Sequence, residues 1–202
     1  MGVVLIRNFS VLIIILFLCG CSGSTSKLTD TETSAEIQFV EKIGADTITI
    51  EYTLDNMDRG ERDYYEQPVV IEQNIETNNL TRGSVVWFED VSGEQKISRV
   101  IGLPNEAINI KDGQIFIDGQ QLDAFYGKAH RAGLAKQEYL DAMKDAKSTY
   151  DEKAANATFE KELKEQKLGD KEYFLVSDDW FRGEMSVVME QQITGIVLGY
   201  EK

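Results

Sequence analysis

Short stretches of this chain alternate between apolar and polar residues, which is the pattern of strands with one buried face. In Thr47–Thr53, the apolar side chains of Ile48, Ile50 and Tyr52 fall on one face, so this segment is predicted to be a strand. Further apolar runs predict strands at Val69–Ile71, Val85–Phe88, Ile97–Leu103, Tyr173–Val176 and Ile193–Tyr200. We therefore predict a mainly β fold.

The strongest local signal is a hairpin within Ile108–Ile117, where Asp112-Gly113 separates two alternating apolar runs. Asp-Gly tolerates the positive φ angles that a tight type I′ turn needs. A second Asp-Gly pair, Asp118-Gly119, follows at once and predicts another turn. Consecutive tight turns of this kind favour antiparallel pairing.

Residues 129–167 have a different character, with no proline, a single glycine and many Ala, Lys and Glu residues. Leu140, Met143, Ala146 and Tyr150 recur at helical spacing, which predicts one or two amphipathic surface helices. We therefore predict one β domain over residues 37–202, with a helical insertion at about 129–167.

The N-terminus has the pattern of a secretion signal rather than of the fold. Arg7 precedes the apolar run Val11–Leu18, which is shorter than the ~20 residues of a membrane-spanning helix. The following Leu-Cys-Gly-Cys, ending at Cys21, resembles a bacterial lipobox. We expect residues 1–20 to be removed and Cys21 to be lipidated, which would anchor the protein on the extracytoplasmic face of the cell membrane. An uncleaved anchor with incidental cysteines is the alternative.

Residues 21–36 are rich in Ser, Thr and acidic residues and are predicted to form a flexible tether, with the folded part beginning near Ile37. Loss of residues 1–20 would remove Arg7 and no acidic residue, so the net charge would go from −14 to −15. This charge argues against nucleic-acid binding and against electrostatic adhesion to anionic lipid. Cys21 would be the one mature cysteine, which excludes a disulfide framework.

No cofactor or metal is predicted. His130 is the only histidine, so a multi-histidine metal site is excluded, and it is interpreted as a surface residue. Asp55, Gly60 and Glu66 fit three positions of a calcium loop, but Met57 and Arg59 occupy two ligand positions and supply no oxygen ligand.

Three segments follow one another along the chain, RGSVVWF at 82–88, RVIGLP at 99–104 and INIKDGQIFIDGQQLD at 108–123. Together they resemble the type I signal peptidases, which are membrane-anchored serine endopeptidases that cut signal peptides from exported proteins. The resemblance runs from about Ile48 to Tyr200 and implies a coiled, mostly antiparallel β domain. An unrelated small β barrel is the alternative.

The resemblance also implies a serine nucleophile and a lysine general base, but both positions differ here. Asn56, just before the retained Met57, stands at the nucleophile position, and Ser98 stands at the general-base position. A serine hydroxyl is too weakly basic for that role at neutral pH. In the family's later motif Asp178 matches, whereas Trp180 replaces an arginine.

We interpret the chain as a lipid-anchored, catalytically inactive relative that binds a peptide in a retained groove or a protein partner through the insertion. The alternative is an active serine endopeptidase with an atypical dyad, in which Ser98 is the nucleophile and Lys96, two residues away on the same strand face, is the base. A third possibility is an acidic lipoprotein whose β domain is only a scaffold.

Overall fold

The structure is a computed structural model that describes residues 26–41, 44–76 and 79–202. The predictions for the signal segment 1–20 and for Cys21 lie outside the described residues. Among the residues that are described, no helix is long and apolar enough to cross a membrane.

The described chain is mainly β, which confirms the predicted class. The strands are β1 (Lys27–Thr29), β2 (Phe39–Val40), β3 (Thr47–Glu51), β4 (Pro68–Glu72), β5 (Val85–Glu89), β6 (Gln95–Gly102), β7 (Ala107–Lys111), β8 (Gln114–Ile117), β9 (Gln120–Asp123), β10 (Leu163–Lys167), β11 (Glu172–Val176), β12 (Met185–Met189) and β13 (Ile193–Glu201). The helices are α1 (Lys136–Asp145) and α2 (Glu152–Phe159), with a 3-10 turn at Glu190–Gln192.

The strands form two sheets. The larger has the order β12-β11-β6-β5-β13-β4-β3, with β2 pairing beside β13, and the smaller has the order β1-β9-β8-β7-β10. Neighbours are antiparallel except β1 with β9 and β2 with β13, which are parallel. Strand β6 lies inside the larger sheet, between β5 and β11, and side chains of this strand line two different cavities.

A core joins the two sheets. Ile101 of β6 and Phe174 of β11 belong to the same buried cluster as Ile108 and Ile115 of the smaller sheet. Removing each such side chain from water contributes roughly 1.5–3 kcal/mol. The smaller sheet is thereby packed against one face of β6.

The predicted hairpin is confirmed. Asp112 and Gly113 have φ angles of 48° and 69° between β7 and β8, and Asp118 and Gly119 have φ angles of 48° and 74° between β8 and β9. Positive φ at both central residues is the requirement of the type I′ turn.

The helical insertion is shorter than predicted, because its last residues form a strand. Leu163–Lys167 is β10, which pairs with β7 at the edge of the smaller sheet. Its side chains are largely polar and exposed, so the edge strand lacks the alternation that would reveal it. Tyr150 also lies outside both helices and packs against Tyr139.

The folded part begins earlier than Ile37. Lys27–Thr29 pairs in parallel with β9, and Lys27 forms an ion pair with Asp123. Further along the supposed tether, Asp30 accepts a hydrogen bond from the Tyr126 hydroxyl. A strand of three residues with only Leu28 apolar carries too little pattern to be recognised in the sequence.

The two Asp-Gly turns give a matched test of packing. A Cβ at Gly113 would lie 2.2 Å from the Phe159 carbonyl oxygen, whereas a Cβ at Gly119 would have nothing within 4 Å. Gly119→Ala should cost about 1 kcal/mol for the positive φ alone. Gly113→Ala should cost about 1–3 kcal/mol more, because α2 must shift. Urea unfolding measures both, and equal losses would contradict this packing.

Candidate functional site

Two cavities of about 250 Å³ each lie beside β6. The first, here called the dyad cavity, is lined by Asn56, Lys96 and Ser98 among others. The second, here called the Arg59 cavity, is lined by Arg59 and Ile101 among others. Successive side chains of a strand point to opposite faces, so Ser98 and Ile101 serve different cavities.

Both polar atoms of the Asn56 side chain form hydrogen bonds. Its Oδ1 accepts from the Tyr52 hydroxyl at 2.8 Å, and its Nδ2 donates to the Ile97 carbonyl at 2.9 Å and to Ser177 Oγ at 3.0 Å. The side chain lies in a loop, and the residue is 7% exposed. Its amide is therefore a buried cross-link between three parts of the chain.

Tyr52 and Asn56 bond to backbone groups of β6 that have no strand partner. β11 leaves β6 after Val176 pairs with Arg99, so the edge of β6 at Ile97 has no strand partner there. The Ile97 N–H donates to the Tyr52 hydroxyl at 3.2 Å, and the Ile97 carbonyl accepts from Asn56. Buried backbone groups need such partners. Burial raises the pKa of Tyr52 to about 12, so it stays a neutral donor.

Ser98 is buried, at 3% exposure, and lines the same cavity as Asn56. Its backbone pairs with Val86 of β5. Within the described part of the chain its hydroxyl makes no hydrogen bond. The position that the family resemblance gives to a general base is thus occupied by a buried hydroxyl.

Lys96 also lines the dyad cavity, but carboxylates hold its amine. The Nζ atom lies 2.7 Å from Asp90, 2.9 Å from Glu184 and 3.8 Å from Glu94. Hydrogen bonds to Asp90 and Glu184 raise the pKa of Lys96 above its ordinary value. A lysine base needs the opposite, a lowered pKa, which burial without a counter-charge would give. The environment of Lys96 therefore keeps it a cation.

Behind the cavity, a buried ion pair joins β6 to the segment after β11. Arg99 Nε and Nη2 donate to the two Asp178 carboxylate oxygens at 2.7 and 2.5 Å, and Nη1 donates to the Gly83 carbonyl at 2.7 Å. Both side chains of the pair are 3% exposed. Burial alone would lower the pKa of Arg99, but the Asp178 carboxylate raises it above its ordinary value.

Asp179 ties the same segment to the insertion. Its carboxylate accepts hydrogen bonds from Arg131 and from the Ala132 N–H, and it also accepts from the N–H groups of Phe181 and Arg182. Asp179 is fully buried. A sharp turn and the start of the insertion therefore depend on one carboxylate.

Trp180, at the position where the resemblance implies an arginine, is an apolar core residue here. Its ring belongs to the cluster that joins the two sheets, and its backbone N–H donates to the His130 backbone carbonyl. Arg182, two residues on, forms an ion pair with Asp55 at the surface.

His130 is not a surface residue as predicted. It is half-buried and lines the Arg59 cavity. Burial is the main cause that lowers its pKa below the ordinary value of histidine. The sequence places His130 beside charged residues, and only the packing of the insertion on the sheet encloses it.

The segment from Asp55 to Glu66, which resembles a calcium loop at three positions, contains carboxylates that bond to groups of the same segment. Asp58 Oδ1 accepts from the N–H groups of Gly60 and Arg62, and Glu66 forms an ion pair with Arg62. Asp63 accepts from the Arg59 N–H and side chain. In the described residues, no group of three or more potential ligand side chains has a metal-binding arrangement.

Sequence reasoning did not identify Tyr52 or Ser177 as site residues. Tyr52 was identified only as an apolar position on the first strand, and its hydroxyl reaches Asn56 through the turn that follows. Ser177 lies just before Asp178 in the later motif, so the sequence indicates that Ser177 is near the site. Its hydrogen bond with Asn56 could not be predicted from the sequence.

Removal of the Asn56 amide should destabilise the fold. Asn56→Ala would leave the buried Ile97 carbonyl and the Tyr52 and Ser177 hydroxyls short of partners, at an expected cost of about 3 kcal/mol. Asn74→Ala is the matched control, since that amide is exposed and bonds the Asp46 carboxylate at the surface; it should change stability by less than about 0.5 kcal/mol. Denaturant unfolding measures both, and a neutral Asn56→Ala would contradict the structural role.

Comparisons with known proteins relate the chain to one family. The family model described as signal peptidase, peptidase S26, matches residues 3–182. A crystal structure of a signal peptidase I from Enterococcus faecalis V583 is similar with 19% identity and a TM-score of 0.37, and it covers 58% of this chain and 96% of that chain. Among curated proteins, none matches. Because the family model matches most of the sequence, this chain belongs to the signal peptidase family, peptidase S26.

Proposed function

We propose that this protein is a lipid-anchored, extracytoplasmic member of the signal peptidase family that binds peptides and does not cleave them. The observation that carries the proposal is the fully hydrogen-bonded Asn56 amide at the nucleophile position. The proposal therefore joins a retained family fold to a site without the family's chemistry.

Acyl transfer needs a nucleophile and a base within hydrogen-bond reach of each other. Asn56 Nδ2 commits its two hydrogens to the Ile97 carbonyl and to Ser177 Oγ, and an amide nitrogen is not a usable nucleophile. Ser98 has a hydroxyl of the right kind, but its surroundings in the cavity offer no neutral amine or imidazole. Neither residue supports acylation.

The alternative dyad, Ser98 with Lys96, is opposed by the charge around the amine. To accept a proton, Lys96 would first have to lose one while close to Asp90 and Glu184. Both carboxylates favour the charged form of the amine and raise its pKa. The ion pairs make Lys96 a poor base near neutral pH.

Peptide binding is supported by the cavity itself. The space beside Asn56 and Ser98 stays open at about 250 Å³, although the side chains at the two catalytic positions have changed. Leu54 and Phe88 supply apolar lining, and the Ser98 hydroxyl is left to bond a ligand. The cavity therefore offers a ligand both apolar surface and polar or charged groups, including Lys96 and Glu184.

A cleavage assay with a signal-peptide substrate tests the proposal. The full chain should bind a fluorescent signal peptide and leave it uncut while an active signal peptidase cuts it. Ser98→Leu, which narrows the cavity, should weaken binding about tenfold or more, whereas Ser148→Leu in the exposed linker between α1 and α2 should not.

Cleavage that disappears in Ser98→Ala or Lys96→Ala would instead establish the atypical dyad. Circular dichroism of each variant checks that a loss of binding is not a loss of fold. An intact Ser98→Leu protein that binds as well as the original would contradict the cavity as the peptide site.

The anchor is tested separately by metabolic labelling with a fatty acid. Label should enter the wild-type chain and Cys19→Ser and be absent from Cys21→Ser, since the lipobox resemblance makes Cys21 the modified residue. Cys19→Ser is the matched control because it lies two residues away. Label that follows Cys19, or no label in the wild-type chain, would refute the assignment of Cys21.

A further inference from the structure

The Arg59 cavity holds polar groups that the protein itself does not satisfy. Arg59 Nε is buried and has no hydrogen-bond partner among the described residues. Its distance to the nearest Asp178 oxygen, 3.6 Å, is too long for a hydrogen bond. Arg59 Nη1 and the imidazole of His130 likewise make no side-chain hydrogen bond to the described part of the chain. An unpartnered buried donor costs about 1–3 kcal/mol and calls for an acceptor.

The charges at the cavity favour an acceptor with a negative charge. The Asp178 carboxylate is already held on both oxygens by Arg99, so little of its charge is left to oppose an anion. Asp63 bonds Arg59 through Nη2 at a long 3.3 Å. Arg59 therefore lines the cavity with a positive charge that is only partly neutralised.

The rest of the lining is apolar and aromatic. Phe125, Tyr126 and Trp180 surround the cavity, and the Arg59 guanidinium lies over the Phe125 ring at 5.2 Å. The Tyr126 hydroxyl is occupied by Asp30, so its ring offers an apolar surface. The volume of about 250 Å³ lies below the ~300–1,000 Å³ of pockets for drug-sized ligands, which restricts the occupant to one small group.

We propose that the Arg59 cavity is a binding site for a carboxylate that carries one aromatic or aliphatic group. The carboxylate accepts hydrogen bonds from Arg59 and His130, and the apolar group lies among Phe125, Tyr126 and Trp180. The site is distinct from the dyad cavity and does not depend on peptide binding there. A free acid and the C-terminal residue of a peptide share this chemistry.

Binding is coupled to the protonation of His130. Burial and the charges of Lys128 and Arg59 lower its pKa, whereas Asp178 and Glu138 raise it. A bound carboxylate adds a negative charge beside the ring and raises that pKa again. The affinity for a carboxylate therefore increases as the pH falls from the pKa of His130 in the complex to its lower pKa in the free protein.

Nuclear magnetic resonance of the full chain tests this proposal, because the single histidine gives one unambiguous imidazole signal. Phenylacetate should shift that signal and raise the pKa of His130, whereas the neutral isostere phenylacetamide should do neither at the same concentration. Equal binding of the amide, or no effect of phenylacetate at millimolar concentration, would overturn the proposal. N-acetyl-phenylalanine distinguishes the sources: tighter binding than phenylacetate identifies a chain terminus, and weaker binding identifies a free acid.

Substitutions of Arg59 test whether the carboxylate of phenylacetate binds beside this residue. Arg59→Gln should weaken phenylacetate binding about tenfold or more, as expected for loss of a charge-assisted hydrogen bond. Arg62→Gln is the matched control in the same loop and should leave binding unchanged, because Arg62 pairs with Glu66 at the surface. If Arg59→Gln does not fold, Arg59→Lys keeps the charge and still removes the Nε donor. A folded Arg59 variant that binds phenylacetate unchanged would refute the site.

Discussion

The buried ion pair between Arg99 and Asp178 is the constraint on which the rest of the site depends. Each charge alone would cost several kcal/mol to remove from water, so neither residue can leave the other. Two hydrogen bonds between them fix β6 against the segment that follows β11. That segment then places Ser177 against Asn56 on one side and Asp179 against the insertion on the other. One pair thus determines the walls of both cavities.

The sequence predicted those strands whose side chains alternate between a buried and a solvated face. The edge strands β1, β10 and β12 were not predicted. Each pairs with a neighbouring strand on one side only, and their residues are mostly polar or only half-buried. The insertion helices were predicted from their period, but their C-terminal limit was not, because Leu163 pairs with Ile110 and that pairing is decided by the distant hairpin. Local pattern determines an element's type more securely than its partner.

Only part of the candidate site could be predicted from the sequence. The resemblance singled out Asn56 and Ser98, and the structure brings them to one cavity although they are far apart in the chain. The charge state of Lys96 was not accessible, since Asp90 and Glu184 come from a turn and from a distant segment. The burial of His130 likewise arises from packing of the insertion. Electrostatic surroundings are tertiary properties, and short motifs do not contain them.

The two substitutions are consistent with each other in physical terms. A catalytic lysine at the Ser98 position would have to be desolvated to lower its pKa, and such a buried amine destabilises the fold. Ser98 carries no such cost, and Asn56 makes three hydrogen bonds, one of which satisfies the Ile97 carbonyl at the open edge of β6. The Arg99–Asp178 pair fixes the frame around both positions. A family fold with an open cavity and without a strained amine is what the proposed function, binding without cleavage, requires.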